Sequence, residues 1–130
     1  MKEVCRAIII DKKGKVLLGK RARGTATGQY ALIGGKPDSG ESPRETVIRE
    51  VKEELGVDFA PTLYLEKIDS SSDPVDPWMV YYFVGPINEN PVLNPDEVED
   101  VIFVSEEDLD GVEIAFDGRE RLKEYFQSLK

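Results

Sequence analysis

The sequence predicts an α+β domain in which a mixed β-sheet has helices covering its faces. Three observations carry this. Runs rich in β-branched and aromatic residues recur from end to end. One segment, residues 43–55, has every signal of a strong helix, and an amphipathic helix closes the chain. Strands and helices do not alternate regularly, so the pattern is not a string of βαβ units. At 130 residues the chain suits one domain, 1–130, with a core of useful size.

The elements follow in order. VCRAIII (4–10) reads as a strand and DKKGK as a turn with Gly14 free to take positive φ. VLLGKR (16–21) returns, so a hairpin is expected. ARGTATGQ (22–29) is small and polar and reads as a mobile loop. YALI (30–33) is a short strand running into Gly34 and Gly35. For the central helix, Ser42 is the N-cap, Pro43 takes the first helical position and Glu45 the third, forming a capping box. Gly56 ends it in a left-handed conformation. TLYLEKIDS and WMVYYFVG are further strands, with SSSDPVDP (70–77) as the loop between them. VEDVIFVS is the last strand. SEEDL (105–109) starts a short helix at Ser105. DGRERLKEYFQSL is the terminal helix, with Leu122, Tyr125, Phe126 and Leu129 at helical spacing.

Composition excludes several chemistries. There are 17 basic and 26 acidic residues, a net charge of −9, and no histidine. Ser-His-Asp and Cys-His catalysis and histidine-ligated zinc are thereby excluded. Cys5 is the only cysteine, so an internal disulfide is excluded, and its apolar surroundings predict a buried thiol. The acidic surface repels nucleic-acid polymers and anionic membranes. No segment reads as a signal peptide or membrane span, and a cytoplasmic location is expected. Whether the chain is a monomer or a homodimer is left open.

The central helix concentrates Glu45, Glu50, Glu53 and Glu54 within ten residues. With Glu50 set at 0°, Glu53 falls near −60° and Glu54 near +40°, an arc of about 100°. Ile48, Val51 and Leu55 form the adjoining apolar stripe, which places the acids at its edge. Glu50 and Glu54 repel one another as i,i+4 neighbours. A solvated acidic face is one explanation. A hard divalent cation, Mg²⁺ or Mn²⁺, is the other, since it turns that repulsion into affinity and brings positive charge to an anionic substrate.

The longer pattern favours the cation. Glu41 follows Gly35 after five residues; seven residues later come Arg49-Glu50-Val51, Lys52, Glu53-Glu54, Leu55 and Gly56-Val57. This resembles the Nudix box, G-x5-E-x7-R-E-U-x-E-E-x-G-U with U apolar, at every defined position from Gly35 to Val57. It departs from common family members at Ile33, where a proline is usual, and at Tyr30, where tryptophan is frequent. The resemblance implies a Nudix fold, an α/β/α sandwich around a mixed sheet. It also implies hydrolysis of a nucleoside diphosphate linked to another group, assisted by Mg²⁺ or Mn²⁺. Carried over by position, Glu50, Glu53 and Glu54 are metal ligands, with one acting as base. The Gly34 carbonyl completes the shell, Arg49 braces a glutamate, and Glu41 supports the loop–helix junction. Arg21 and Lys36 are candidates for substrate phosphate. Glu97, and after it Glu99, is a candidate further ligand or base. Asp117 in AFDG could contact a nucleobase, although it suits a helix N-cap better. The loop 22–29 and the aromatic strand 78–84 are expected to frame the base pocket, with Asp117 at its rim.

Three functions compete at this stage. A MutT-like nucleoside triphosphate pyrophosphohydrolase, acting on free and oxidised nucleotides, comes first. A hydrolase of ADP-ribose or another nucleotide sugar is the alternative, with Pro74 and Pro77 giving it slight support. A non-catalytic Nudix-like binding module is disfavoured, because all the box acids are present.

Overall fold

The computed structural model describes residues 1–71 and 73–130; position 72, in the expected 70–77 loop, lies outside the described residues. Seven strands form one mixed sheet. They are β1 (Lys2–Ile10), β2 (Val16–Arg21), β3 (Tyr30–Ala31), β4 (Ile33–Gly35), β5 (Thr62–Asp69), β6 (Trp78–Pro86) and β7 (Val98–Val104). The helices are α1 (Pro43–Leu55) and α2 (Gly118–Ser128), with a 3-10 segment at Glu106–Gly111.

The spine of the sheet runs β3-β2-β1-β6-β5. Strand β1 is central and parallel to β6 from Lys2↔Trp78 to Ile10↔Pro86. Its side chains alternate between two cores, as a strand buried on both faces must. Val4 and Ile8 pack with Leu122, Tyr125 and Phe126 of α2. Cys5, Ala7 and Ile9 face Val47, Val51 and Leu55 of α1. The expected sandwich of a mixed sheet between helices is therefore present. Cys5 is fully buried, as its apolar run predicts.

The expected hairpin is a pairing at its base only. Strands β1 and β2 share the single register pair Ile10↔Val16. Beyond it they fork: β4 pairs with β1 through Cys5↔Gly35, Arg6↔Gly34 and Ala7↔Ile33, while β7 and β3 pair with β2. That fork also divides YALI. Tyr30 and Ala31 belong to the β2 side and Ile33 to the β1 side, with the break at Leu32. Local pattern could not show this, because the split is imposed by two different partners.

Helix α1 has the predicted bounds. The Ser42 hydroxyl accepts from the Glu45 backbone N–H at 3.1 Å, and the Glu45 carboxylate accepts from the Ser42 N–H at 3.0 Å. Gly56 closes it at φ 67°, where a Cβ would be strained. Its buried stripe is Thr46, Val47, Val51, Glu54 and Leu55. Val47 takes the central place expected of Ile48, so the stripe is rotated toward Glu54. Helix α2 buries Leu122, Tyr125 and Phe126, but Leu129 is exposed because the helix stops at Ser128.

Candidate active site

The centre of the site is an arginine. Arg49 Nε and Nη2 donate to the two oxygens of Glu41 at 2.7 and 2.9 Å. Its Nη1 donates to Glu50 at 2.9 Å and to Glu53 at 3.2 Å. Nη2 also reaches the Lys36 carbonyl at 3.1 Å. One planar fork thus ties helix α1 to the loop after β4, a job for which a lysine lacks the geometry. Glu41 further accepts from the Asp38 N–H at 3.0 Å and the Thr46 hydroxyl at 2.8 Å. These bonds, led by those from Arg49, pull its pKa down to about 2. Glu41 is an anchor and stays ionised.

Glu50 and Glu54 behave in the opposite way. Glu54 is 9% exposed, and its Oε2 is buried without a hydrogen-bond partner among the described residues. Burial first, then the neighbouring charge of Glu50, pushes its pKa up to about 9. Burial likewise raises Glu50, although Arg49 opposes the shift. Glu54 therefore sits inside the edge of the buried stripe rather than beside it. A carboxylate held there without a cation is costly.

Gly35 gives Glu50 room, and Gly34 lets β4 pack close to β1. A Cβ on Gly35 would lie 2.4 Å from the Glu50 carboxylate, and one on Gly34 would lie 1.9 Å from the Cys5 carbonyl oxygen. The backbone can be this close only without side chains.

The other expected residues divide into two groups. Glu97 lines a small cavity of about 90 Å³ with Arg21, Arg23, Gly34 and Glu54, and its carboxylate is ion-paired to Arg23. Glu99 instead faces Lys20 at 3.7 Å and is outside that cavity. Lys36 lines a second, larger groove with Lys2 and Trp78. Loop 22–29 is closed on itself by Arg21 N–H to Gln29 O at 2.9 Å and Gly28 N–H to Arg21 O at 2.8 Å. It contributes Arg23 to the small cavity, whereas Trp78 lines the larger groove.

Asp117 is a correction. It precedes α2, but its side chain makes no cap hydrogen bond. The buried Tyr82 hydroxyl donates to it instead, with its two oxygens at 2.8 and 2.9 Å. Beside this pair lies Arg6, which the sequence reading passed over. Its guanidinium stacks 5.0 Å from the Phe116 ring centroid, and Arg21 stacks on the same ring at 5.3 Å. Phe116 holds φ 60°, a strained value for a bulky residue. Arg6 keeps part of its surface exposed, yet desolvation of the guanidinium lowers its pKa. The available signal was a charge inside the apolar run VCRAIII, where an inward-facing arginine is rare.

Three acidic side chains do not converge into a finished ligand cage among the described residues. Arg49 draws Glu50 and Glu53 toward itself, which accounts for this. The orphaned Glu54 oxygen, the adjacent Glu50 and the closely approaching backbone of Gly34 and Gly35 nevertheless fit a hard divalent ion. Among the described residues, no helix is long and apolar enough to cross a membrane.

Comparison with known proteins agrees with the box. The family model described as NUDIX domain matches residues 2–129. The chain is 42% identical over 53 residues to the CTP pyrophosphohydrolase of Escherichia coli strain K12, covering 40% of this chain and 39% of that protein. The aligned part thus spans well under two thirds of that relative. It is 32% identical over 115 residues to the nucleoside triphosphatase NudI of Escherichia coli O139:H28, covering 78% of this chain and 80% of that one. Among solved structures, the MutT protein from Methanosarcina mazei Go1 superposes with a TM-score of 0.81 at 27% identity, covering 98% and 93% of the two chains.

Proposed function

Since this chain belongs to the Nudix family, we propose that it hydrolyses the phosphoanhydride of free nucleoside triphosphates, releasing nucleoside monophosphate and pyrophosphate with Mg²⁺ or Mn²⁺. The observation that carries this is the buried Glu54 carboxyl beside Glu50, one oxygen of which has no partner among the described residues, next to the glycines of an intact Nudix box. Similarity to a nucleoside triphosphatase over 80% of that protein's length supports triphosphates as the substrate class.

Glu50, Glu53, Glu54 and the Gly34 carbonyl would hold the cation. When bound, it supplies charge neutralisation at the phosphoryl oxygens and acidifies an attacking water. The protein does the rest. Arg49 fixes Glu50 and Glu53 in place through its bonds to both. Arg21, across the small cavity from Glu54, meets a substrate phosphate. Glu53, acting through a cation-bound water, and Glu97 are the first candidates to accept the water proton. The nucleoside end lies toward Arg6, Phe116 and Asp117, where donors, an acceptor and an aromatic face meet.

The test is a panel of nucleoside triphosphates, oxidised nucleotides and nucleotide sugars incubated with Mg²⁺, with products identified by mass spectrometry. Monophosphate plus pyrophosphate is expected. Inert triphosphates, with ADP-ribose cleaved to AMP and ribose phosphate, would replace this proposal by the nucleotide-sugar one.

A further inference from the structure

The larger groove is separate from the carboxylate cluster. It has a volume of about 430 Å³ and runs between the start of β1, Trp78 and the loop 36–41. The ammoniums of Lys2 and Lys36 lie 4.9 and 5.0 Å from the centroid of the Trp78 ring. Cation–π attraction holds both chains at the groove. In a protein of net charge −9, two lysines gathered on one ring call for an anionic partner.

The carboxylates lining the groove are not that partner. Glu3 accepts from the Tyr81 hydroxyl at 2.8 Å, Glu41 is held by Arg49, and Asp38 lies 3.5 Å from Arg49. Lys36 has no ion pair among the described residues. Lys2 is shared loosely with Asp73 and Asp76 at 3.9 and 3.7 Å, longer than a charge-assisted hydrogen bond.

Position gives the groove a meaning. Lys2 pairs with Trp78, and Arg6 with Tyr82, in one parallel register. Four residues of strand separate them, about 13 Å, with side chains on the same sheet face. Gly34, Gly35 and Lys36 run alongside, because Gly34 pairs with Arg6 and Gly35 with Cys5. A substrate whose nucleoside lies by Arg6 and Asp117, and whose phosphates cross the glycines, would end at Lys36 and Lys2.

We propose that the Lys2–Trp78–Lys36 groove is an anion subsite for the terminal phosphates of the substrate, the part that leaves as pyrophosphate. This rests on the triphosphate reading above. The two ammoniums crowd the indole, so the groove suits phosphate oxygens better than a stacked base.

Trp78 is the sole tryptophan, so all tryptophan emission comes from the groove. The full chain, saturated with Mg²⁺, is titrated with inorganic pyrophosphate. A saturable change in emission is expected. Lys2→Gln and Lys36→Gln should each weaken the apparent affinity about tenfold, the loss of one charge-assisted contact. Lys2→Arg, which keeps the charge, should restore most of it. An emission that does not respond to pyrophosphate, or equal affinity in Lys2→Gln and wild type, overturns the proposal. So does a stronger response to nucleoside monophosphate or ribose 5-phosphate than to pyrophosphate. Triphosphate turnover with a silent Trp78 overturns the groove and spares the substrate reading. A Trp78 response with inert triphosphates does the reverse.

Discussion

Replacing Glu54 by Gln should remove a pH dependence of stability from the metal-free protein. In the folded chain the Glu54 pKa is raised from 4.5 to about 9, chiefly by burial. Between those values the native state holds a proton that the unfolded state has lost. The sign follows: this contribution is complete below the unfolded pKa and disappears as pH rises toward the folded one. One proton corresponds to a slope of about 1.4 kcal/mol per pH unit. Glu50 shares the burial, so the pair holds that proton together and one proton is the upper figure. The window is clean. The chain has no histidine, and burial pushes the Cys5 thiol up to about 11. The assay is urea unfolding in chelator between about pH 6 and 8. Wild-type midpoints should fall with pH, and those of Glu54→Gln should fall less steeply, by the share that Glu50 does not carry. Adding Mg²⁺ should rescue wild type and not the variant, with proton release on binding. If the two midpoints fall in parallel, Glu54 is not a buried acid and the reasoning fails.

Other outcomes follow from the same geometry. Gly35→Ala puts a methyl against the Glu50 carboxylate; calorimetry should show Mn²⁺ affinity reduced roughly 10–100-fold, and unchanged affinity would show that Glu50 moves freely. Arg21→Ala should raise KM with little effect on kcat, the mark of lost uniform binding; steady-state kinetics with both constants unchanged would make it a surface charge. Glu53→Gln and Glu97→Gln separate the two proton acceptors. The true base should lose kcat by about a hundredfold or more while metal affinity is retained, and a loss of affinity instead marks a ligand.

Much of this was legible along the chain because its signals are local. Ser42, Pro43, Glu45 and Gly56 fix helix α1 through bonds between near neighbours. The acids of one helical face follow from its period. What was missed depends on residues far apart in sequence. The fork between β1 and β2 depends on β4 and β7 competing for them. Asp117 was assigned to a cap because the sequence does not show that Tyr82, on a distant strand, arrives at its carboxylate. Arg6 was overlooked because an apolar run reads as core, and only the fold shows that its charge meets Phe116.

The parallel pairing of β1 with β6 has a consequence for how the protein is made. It joins the first strand to one more than half the chain away, so the loop to be closed is long and its entropy is spent before any contact rewards it. Strand β6 cannot dock on the ribosome until most of the chain has emerged. Arg6 and Gly34 meet through the pairing of β1 with β4, but Tyr82, and with it the Asp117 contact, reaches Arg6 only after that docking. A chain stopped before β6 can form helix α1, with its capping box intact, yet lacks the strand that backs Arg6 and both members of the Tyr82–Asp117 pair. Docking of β6 is therefore a late step: refolding followed by Trp78 emission should lag behind refolding followed by helical signal.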